Sequence, residues 1–132
     1  GVTPDMSRTN IVLWVKKSLE EGKKINVVND QWRTPTLAED LAMGCMLAAK
    51  KKAQGIYNIS GEVMMTPWDI AQATAAFFKL DASLIQPANA SNFKQPAARP
   101  PRTGFIIEKA KRELGYRPHS FSEGLAVIQS QL

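Results

Sequence analysis

The chain contains few of the residues that metal sites, disulfides and covalent catalysis require. It has one cysteine and one histidine among 132 residues, which excludes an intrachain disulfide and a Cys/His metal cluster. Cys45 lies on an apolar stripe of a predicted helix and is expected in the core. His119 follows Pro118 near a helix start and is expected at the surface without a catalytic role. The composition therefore predicts no metal site and no catalytic residue within this chain.

Phosphate-binding glycine motifs are absent as well. The sequence contains no G-x-G-x-x-G turn and no phosphate loop that ends in Gly-Lys-Ser/Thr. Neither Tyr57 nor Tyr116 has a lysine four residues later, so the chain lacks the Tyr-x-x-x-Lys pair of reductases. We therefore expect no cofactor-binding residue in these 132 residues and no hydride transfer by them alone.

Long apolar runs and a signal peptide are also missing. No stretch approaches the roughly 18 apolar residues of a membrane span, and GVTPDMSRTN is not a signal-peptide start. The net charge of +5 comes from lysines in the last turns of predicted helices, with no aromatic residues between them. These features predict one cytoplasmic domain over residues 1–132, with no membrane and no nucleic-acid partner. A small anion such as phosphate remains a suitable ligand.

Helix caps and apolar spacing predict an α/β fold, of an α+β-like kind, with about five helices and two or three short parallel strands. Strands are expected at residues 25–28 and 56–59. Because two short strands are not a stable sheet, either helices cover them or they extend a sheet of absent sequence. Residues 82–102 are expected to form a long irregular loop. Helix starts are predicted at Asn10, at Thr66-Pro67, and at capping boxes formed by Thr36 with Glu39 and by Ser120 with Glu123.

The apolar faces of two helices are also predicted. The inward stripe of the second helix is expected to contain Leu37, Leu41, Cys45 and Ala48. The last helix is expected to turn Leu125, Ile128 and Leu132 inward.

The run NDQWRTPTLAEDL, residues 29–41, combines a turn-like Asn-Asp pair, a tryptophan, an arginine, a Thr-Pro-Thr segment and a helix-capping pattern. A purely structural loop does not need this combination of side chains. Pro35 stiffens the segment that presents Arg33, whose guanidinium can bind phosphate oxygens in bidentate fashion or remain a solvated surface group. Gln31 and Trp32 lie beside it and belong to the same candidate site. Asn10, at the start of the first helix, can meet an anion or can serve simply as an N-cap.

Two further arginines lie in the proline-rich run AARPPRTG. Prolines near Arg99 lower the entropy that is lost when this side chain is held on a ligand. Arg102 is the near neighbour that can make the contact instead. The candidate substrate-binding residues are therefore Asn10, Gln31, Trp32, Arg33, Arg99 and Arg102.

Several stretches together resemble the C-terminal part of the extended short-chain dehydrogenases/reductases. They are VVNDQWRTPTLAEDLA, GIYNISG followed by MTPWDIA, ARPPRTG, and EKAKRELGYRP. The subgroup to which they look most similar is dTDP-4-dehydrorhamnose reductase. The resemblance implies a site for a nucleotide sugar, a dTDP-6-deoxy-4-ketohexose, with Asn10, Arg33 and Arg99 near its diphosphate.

The resemblance also implies partners outside this chain. In such enzymes an N-terminal Rossmann portion, missing here, holds NAD(P) and the Tyr/Lys catalytic pair. The nicotinamide cofactor is thus expected in the full-length enzyme and not on this chain alone. A homodimer is one expected assembly of the parent protein.

Three alternatives remain open at this point. The first is an epimerase or dehydratase that acts on a different nucleotide sugar. The second is a non-catalytic regulatory relative, such as the beta subunit of methionine adenosyltransferase, which has a similar Gln-x-Arg-x-Pro-Thr segment. The third is a helical module that binds no ligand.

Overall fold

The structure, a computed structural model, describes residues 10–92 and 99–132. These residues confirm the predicted α/β class, with five α-helices and short parallel strands. Within them, no helix has both the length and the apolar character that a membrane crossing requires. In chain order the elements are α1 (Ile11–Glu20), β1 (Ile25–Val28), β2 (Trp32–Arg33), α2 (Ala38–Lys50), α3 (Pro67–Phe78), β3 (Ile85–Ala88), β4 (Arg102–Thr103), α4 (Glu108–Leu114) and α5 (Phe121–Ser130), with short 3-10 helices at Ala82–Leu84 and Ala90–Asn92.

The described residues fall into two compact units. The strand unit comprises residues 10–33, 65–92 and 99–103, and the helical unit comprises residues 34–64 and 104–132. The single domain expected over residues 1–132 stays a prediction.

In the strand unit, helices α1 and α3 pack around a parallel pair of strands. Strand β1 pairs with β3 in a register that sets Ile25 opposite Ile85 and Val28 opposite Ala88. Residues one apart along β1 alternate between core and solvent, as the period of a half-buried strand requires. The buried core of this unit consists of Val15, Leu19, Ile25, Val27, Ala71, Ala75 and Ile85.

The helix ends of the strand unit follow the predicted local chemistry. The Asn10 side chain caps α1 by accepting a hydrogen bond from the Leu13 backbone N–H at 2.9 Å. Thr66 and Asp69 form a reciprocal capping box at the start of α3, and Pro67 occupies the first helical turn. The helix starts predicted at Asn10 and at Thr66-Pro67 are confirmed.

The expectation of an irregular loop over residues 82–102 is wrong for the part that the structure describes. Residues 85–88 form β3, and residues 102–103 form β4. Both strands pair with segments more than fifty residues earlier in the chain. Such pairing leaves little trace in a short local pattern, especially when one strand contains Pro87.

In the helical unit, α4 packs its apolar face against the end of α2 and the residues after it. The buried hydroxyl of Tyr116 donates a hydrogen bond to the Ser60 carbonyl oxygen at 3.0 Å. Gly115, with φ of +71°, ends α4, and Ser120 with Glu123 forms the predicted capping box of α5. The buried cluster contains Ile107, Ala110, Leu114 and Tyr116, with Leu47, Ala48, Ala53, Tyr57 and Ile59 packed against it.

The capping box predicted for α2 is wrong. This helix begins at Ala38, and its N-cap residue is Leu37, which makes no side-chain cap hydrogen bond. The Thr36 hydroxyl instead accepts from the Gly61 backbone N–H at 3.0 Å and donates to the Thr34 carbonyl oxygen at 3.2 Å. The Thr36 hydroxyl therefore bonds to Gly61, which is distant in sequence, instead of capping the first turn of α2.

The inward stripe predicted for α2 is confirmed at Ala48, which packs against the buried cluster, and is wrong at Leu41 and Cys45. Leu41 is 48% exposed and Cys45 is exposed, whereas Asp40 and Gly44 are buried. Ile59 approaches so closely that a Cβ added to Gly44 would lie 2.6 Å from its Cγ2. The face of α2 that contains Gly44 therefore packs against Ile59. Cys45, which was expected in the core, lies at the surface.

Two apolar segments of the helical unit differ from expectation as well. Residues 56–59 form no strand, and Ile56 is 85% exposed. This segment contacts α2 through Ile59, and in α4 the Lys109 ammonium donates to the Ile56 carbonyl oxygen at 3.0 Å. At the other end of the unit, Leu132 is 62% exposed because α5 ends at Ser130, so its predicted inward position is wrong.

Candidate anion-binding site

The candidate site is built on β2, which has a backbone partner on each edge. Strand β4 pairs with it in parallel, so that Trp32 lies opposite Arg102 and Arg33 opposite Thr103. On the other side, the backbone of Arg33 forms an antiparallel bridge with Met65, with hydrogen bonds of 3.0 and 2.7 Å. The backbone that carries Arg33 is therefore fixed from both sides.

The Arg33 guanidinium is held by two neutral oxygen atoms. Its Nη1 donates to the Thr103 hydroxyl at 2.7 Å, and its Nη2 donates to the Gln31 side-chain oxygen at 2.6 Å. Gln31 is only 9% exposed, so it provides a firm support rather than a mobile surface contact. These bonds fix the plane of the guanidinium and leave its charge uncompensated.

A second cation belongs to the same group of residues. The Arg102 guanidinium lies over the Trp32 ring, 5.3 Å from the ring centroid. The opposite positions of these residues in the β2–β4 pair account for the contact, and an indole face attracts a cation in this geometry. We call Gln31, Trp32, Arg33, Arg102 and Thr103 the Arg33 cluster.

Among the described residues, no hydrogen bond, ion pair or ring contact joins the remaining two candidates to this cluster. Asn10 uses its side-chain oxygen to cap α1, which is the structural role foreseen as an alternative. Arg99 is exposed, precedes β4 by three positions, and makes no hydrogen bond or ion pair with another described residue. The structure thus brings together four of the six predicted residues: Gln31, Trp32, Arg33 and Arg102.

Thr103 is the member of the Arg33 cluster that sequence reasoning missed. A threonine in a Pro-Pro-Arg-Thr-Gly run has no local feature that marks it as a partner of an arginine seventy positions earlier. Only the register of β2 against β4, which sets Thr103 opposite Arg33, reveals this role.

Across the described parts of the chain, the arginines of this region have no carboxylate partner. Arg33, Arg99 and Arg102 take part in none of the ion pairs, which instead join cations and carboxylates elsewhere. The nearby carboxylate in sequence, Asp30, accepts from the Ala90 backbone N–H at 3.0 and 3.1 Å. An arginine without a counter-ion can bind an anion without first breaking a salt bridge.

A different polar pair lies in the helical unit. Asp40 is 4% exposed and accepts from the His119 backbone N–H at 2.9 Å, while Nδ1 of the His119 ring lies 2.6 Å from the other carboxylate oxygen. The hydrogen bond to Asp40, together with its negative charge, raises the pKa of His119 above its ordinary value. His119 is exposed, as predicted, and the pair links α2 to the start of α5.

Neither tyrosine of the chain is prepared for proton donation. Hydrogen bonding to Glu113 raises the pKa of Tyr57, and burial raises the pKa of Tyr116 to about 12. A catalytic tyrosine paired with lysine requires a shift in the opposite direction. Among the described residues, no group of three His, Cys, Asp or Glu side chains is arranged to hold a metal ion.

Comparison with known proteins places the whole of this architecture in one family. The model of the RmlD substrate binding domain matches residues 5–132. A crystal structure of dTDP-4-dehydrorhamnose reductase from Bacillus anthracis, in complex with NADP, superimposes with a TM-score of 0.83 at 23% identity, covering 96% of this chain and 45% of that protein. At this identity the likeness concerns the fold.

Two curated proteins show the range of relatives. The probable low-salt glycan biosynthesis reductase Agl14 of Haloferax volcanii is 25% identical over 117 residues, 89% of this chain and 39% of that protein. Methionine adenosyltransferase 2 subunit beta of Xenopus laevis is 32% identical over 92 residues, 66% of this chain and 28% of that protein. The chain spans less than half the length of each. From the match over nearly its full length, the chain belongs to the RmlD substrate binding domain family.

Proposed function

We propose that this chain is the nucleotide-sugar-binding portion of an NAD(P)-dependent reductase similar to dTDP-4-dehydrorhamnose reductase, and that the Arg33 cluster binds the diphosphate. The observation that carries the proposal is the geometry of Arg33, whose guanidinium is held by Gln31 and Thr103 and has no carboxylate partner in the described residues. Membership of the RmlD substrate binding domain family supports the class of ligand.

The charge and the donor geometry of the Arg33 cluster suit a diphosphate. A guanidinium has five N–H donors, and the bonds to Gln31 and Thr103 use two of them. The other donors remain for phosphate oxygens, which arginine binds through charge-assisted and often bidentate hydrogen bonds. Arg102, held over Trp32, adds a second positive charge beside the first.

Arg99 and Asn10 complete the proposed site. Arg99 is exposed and lies in the same segment as Arg102, so a ligand at the Arg33 cluster would attract its side chain. The amide nitrogen of Asn10 remains a donor although its oxygen caps α1. Both assignments rest on charge and on the resemblance rather than on a contact in this structure.

In this proposal the hydride-transfer chemistry belongs to a nucleotide-binding Rossmann portion outside this chain, as the resemblance implies. In this proposal that portion holds NAD(P) and supplies the Tyr/Lys pair, and the complete protein is cytoplasmic and forms a homodimer. The pKa values of Tyr57 and Tyr116 are both raised, which is consistent with a catalytic tyrosine located elsewhere.

The unpaired segment at residues 56–59 is the proposed contact for this Rossmann portion. Its backbone makes no backbone–backbone hydrogen bond with any described residue, although its isoleucines and tyrosine favour a strand. Exposed Ile56, Met43 and Met46 supply apolar surface in the same unit. If the Rossmann portion adds a strand here, the Tyr57 and Ile59 amides become protected from hydrogen exchange in the longer protein; unchanged exchange rates would reject this contact.

A regulatory role is the second candidate function. The identity of 32% with methionine adenosyltransferase 2 subunit beta favours it, although the match covers 66% of this chain. The two functions differ in one observable feature of the full reading frame. A Tyr-x-x-x-Lys pair in the Rossmann portion favours the reductase, and its loss favours a regulatory subunit.

The proposal is tested by an NMR titration of the chain with dTDP, with thymidine as the ligand that lacks phosphate. We expect dTDP to shift the backbone amides of Trp32, Arg33 and Thr103 in a saturable manner and thymidine to leave them much less affected. An Arg117→Gln variant removes an exposed arginine of the helical unit and serves as the control for net charge. The absence of saturable shifts with dTDP at low ionic strength would rule out the proposed site.

A further inference from the structure

We propose that Gln31 and Thr103 are positioning residues that set the Arg33 guanidinium for diphosphate, with the uncharged Gln31 also adding an N–H donor beside it. This inference rests on the proposed function and assigns roles within the same site. It changes the role of Gln31 from a simple substrate contact to a support for Arg33, and it introduces Thr103 as a residue of the site.

The positioning role follows from the two bonds that hold Arg33 on opposite sides. Thr103 accepts from Nη1 at 2.7 Å, and Gln31 accepts from Nη2 at 2.6 Å. Both distances are short for N–H···O bonds. A free arginine side chain samples many rotamers, and it loses conformational entropy when a ligand fixes one of them. The two bonds fix the rotamer of Arg33 in the unliganded protein, so that less entropy is lost on binding.

The supports are themselves fixed. Gln31 is 9% exposed, and Thr103 lies in β4 directly opposite Arg33. The Thr103 hydroxyl also lies 3.4 Å from the Trp32 carbonyl oxygen, to which it donates while it accepts from Arg33. This arrangement uses the hydroxyl proton and leaves an oxygen lone pair for the guanidinium, so the hydroxyl is oriented correctly as an acceptor.

The orientation of the Gln31 amide follows from the chemistry of its partner. A guanidinium only donates, so the amide oxygen must face Arg33 and the amide nitrogen must point away. That nitrogen shares a carbon with the oxygen and makes no hydrogen bond to another described residue. In this proposal the nitrogen serves as an additional N–H donor for a phosphate group that binds Arg33.

The neutrality of Gln31 is as important as its shape. A glutamate at this position would accept the same hydrogen bond and would also cancel the charge of Arg33. It would replace the free amide donor with an oxygen that repels phosphate. Substitutions at Gln31 can therefore distinguish the effect of holding the Arg33 guanidinium in place from the effect of the charge beside it.

The test compares four variants by titration with dTDP and with inorganic pyrophosphate, at low ionic strength. Thr103→Val removes the acceptor and keeps the shape of the strand residue, while Thr103→Ser keeps the hydroxyl. Gln31→Leu removes the amide, and Gln31→Glu keeps the acceptor but adds a charge. We expect Thr103→Val and Gln31→Leu each to weaken binding about fivefold, as loss of one neutral hydrogen bond implies.

Gln31→Glu is expected to weaken binding by more than about tenfold, because it adds a negative charge that compensates Arg33 and removes the amide donor. Thr103→Ser is expected to restore most of the affinity that Thr103→Val loses. The Arg33 Nε–Hε NMR signal, assigned through its loss in Arg33→Lys, gives a second readout. It should stay sharp in Gln31→Glu and broaden in Thr103→Val, which a merely structural role of Thr103 would not produce.

The outcomes separate this inference from the proposed function. If the wild-type chain binds neither dTDP nor pyrophosphate, the proposed function fails and the positioning role fails with it. If the wild type binds but Thr103→Val, Gln31→Leu and Gln31→Glu bind equally well with an unchanged Arg33 signal, only the positioning role is overturned. Circular dichroism of each variant confirms that a lower affinity does not reflect unfolding.

Discussion

The Arg33 cluster and the Asp40–His119 pair differ in how they treat charge. In the cluster, a half-buried guanidinium is surrounded by a glutamine amide and a threonine hydroxyl, and no carboxylate reaches it among the described residues. In the pair, a carboxylate that is 4% exposed receives both a backbone N–H and an imidazole.

In the proposed function, this difference distinguishes a pair that stabilises the fold from a cluster that binds a ligand. A buried charge with its own partners contributes to the native state and has little capacity left for a ligand. A cation that is held in place by neutral groups keeps its charge for an external anion. The comparison therefore predicts that substitutions at the pair change stability, whereas substitutions in and near the cluster change affinity.

Asp40→Ala is expected to have the largest effect on stability. Because it leaves the His119 backbone N–H without its carboxylate partner, it should lower the free energy of unfolding by about 3 kcal/mol. Urea denaturation followed by circular dichroism measures this change. The affinity of the folded protein for dTDP should remain that of the wild type, and a large loss of affinity would break the proposed separation.

Arg99→Ala should weaken dTDP binding by about 1.5 kcal/mol or somewhat more, the contribution of a charge-assisted hydrogen bond. Its stability should not change, because Arg99 is exposed and makes no ion pair with a described residue. Isothermal titration calorimetry and thermal denaturation distinguish the two quantities. Equal affinity in variant and wild type would remove Arg99 from the site and leave Arg102 as the second arginine.

The Asp40–His119 pair should make stability depend on pH. The pKa of His119 is raised above its ordinary value of 6.5 by the hydrogen bond to Asp40 and by its charge. The folded protein therefore holds the proton more tightly than the unfolded chain, and the stabilisation is complete below about pH 6.5. It is lost as the pH rises through the folded-state pKa, so the midpoint of urea unfolding should fall over this range.

His119→Asn is the matched variant for this pH effect, because it keeps a side-chain donor but does not titrate. Its unfolding midpoint should vary less between pH 6 and pH 8 than that of the wild type. An equal slope in the two proteins would show that a different group is responsible.

Lys111→Gln is expected to have the smallest effect. The Lys111 ammonium lies 2.6 Å from a Glu62 oxygen, but both side chains are substantially exposed to solvent. Exposed pairs of this kind contribute little, because water and salt screen the charges. Neither the melting temperature nor the dTDP affinity should change measurably.

The sequence allowed prediction of those features that depend on neighbours a few residues away. The helix starts at Asn10 and Thr66-Pro67 and the capping box of α5 all involve contacts over three positions. The capping box at Thr36 had the same local pattern, yet the Gly61 N–H engages its hydroxyl from twenty-five residues away. Local chemistry is decisive only where no tertiary partner competes for the same atom.

The candidate site shows the same limit. Trp32, Arg33 and Gln31 could be selected because they lie together in a stiff, polar run beside Pro35. Thr103 could not, because its role depends on the register between two-residue strands that are seventy positions apart. The exposed side of α2 could not be predicted either, since the approach of Ile59 to Gly44 determines which face turns inward.

The most direct test of the central claim is the difference in dTDP affinity between Arg33→Gln and Arg117→Gln, measured by titration at low ionic strength. Both variants remove one positive charge, but only the first removes it from the Arg33 cluster. We predict that Arg33→Gln weakens binding by about tenfold or more, while Arg117→Gln binds close to wild type. Equal affinities in the two variants would show that dTDP responds to the overall charge, and would contradict a site built on Arg33.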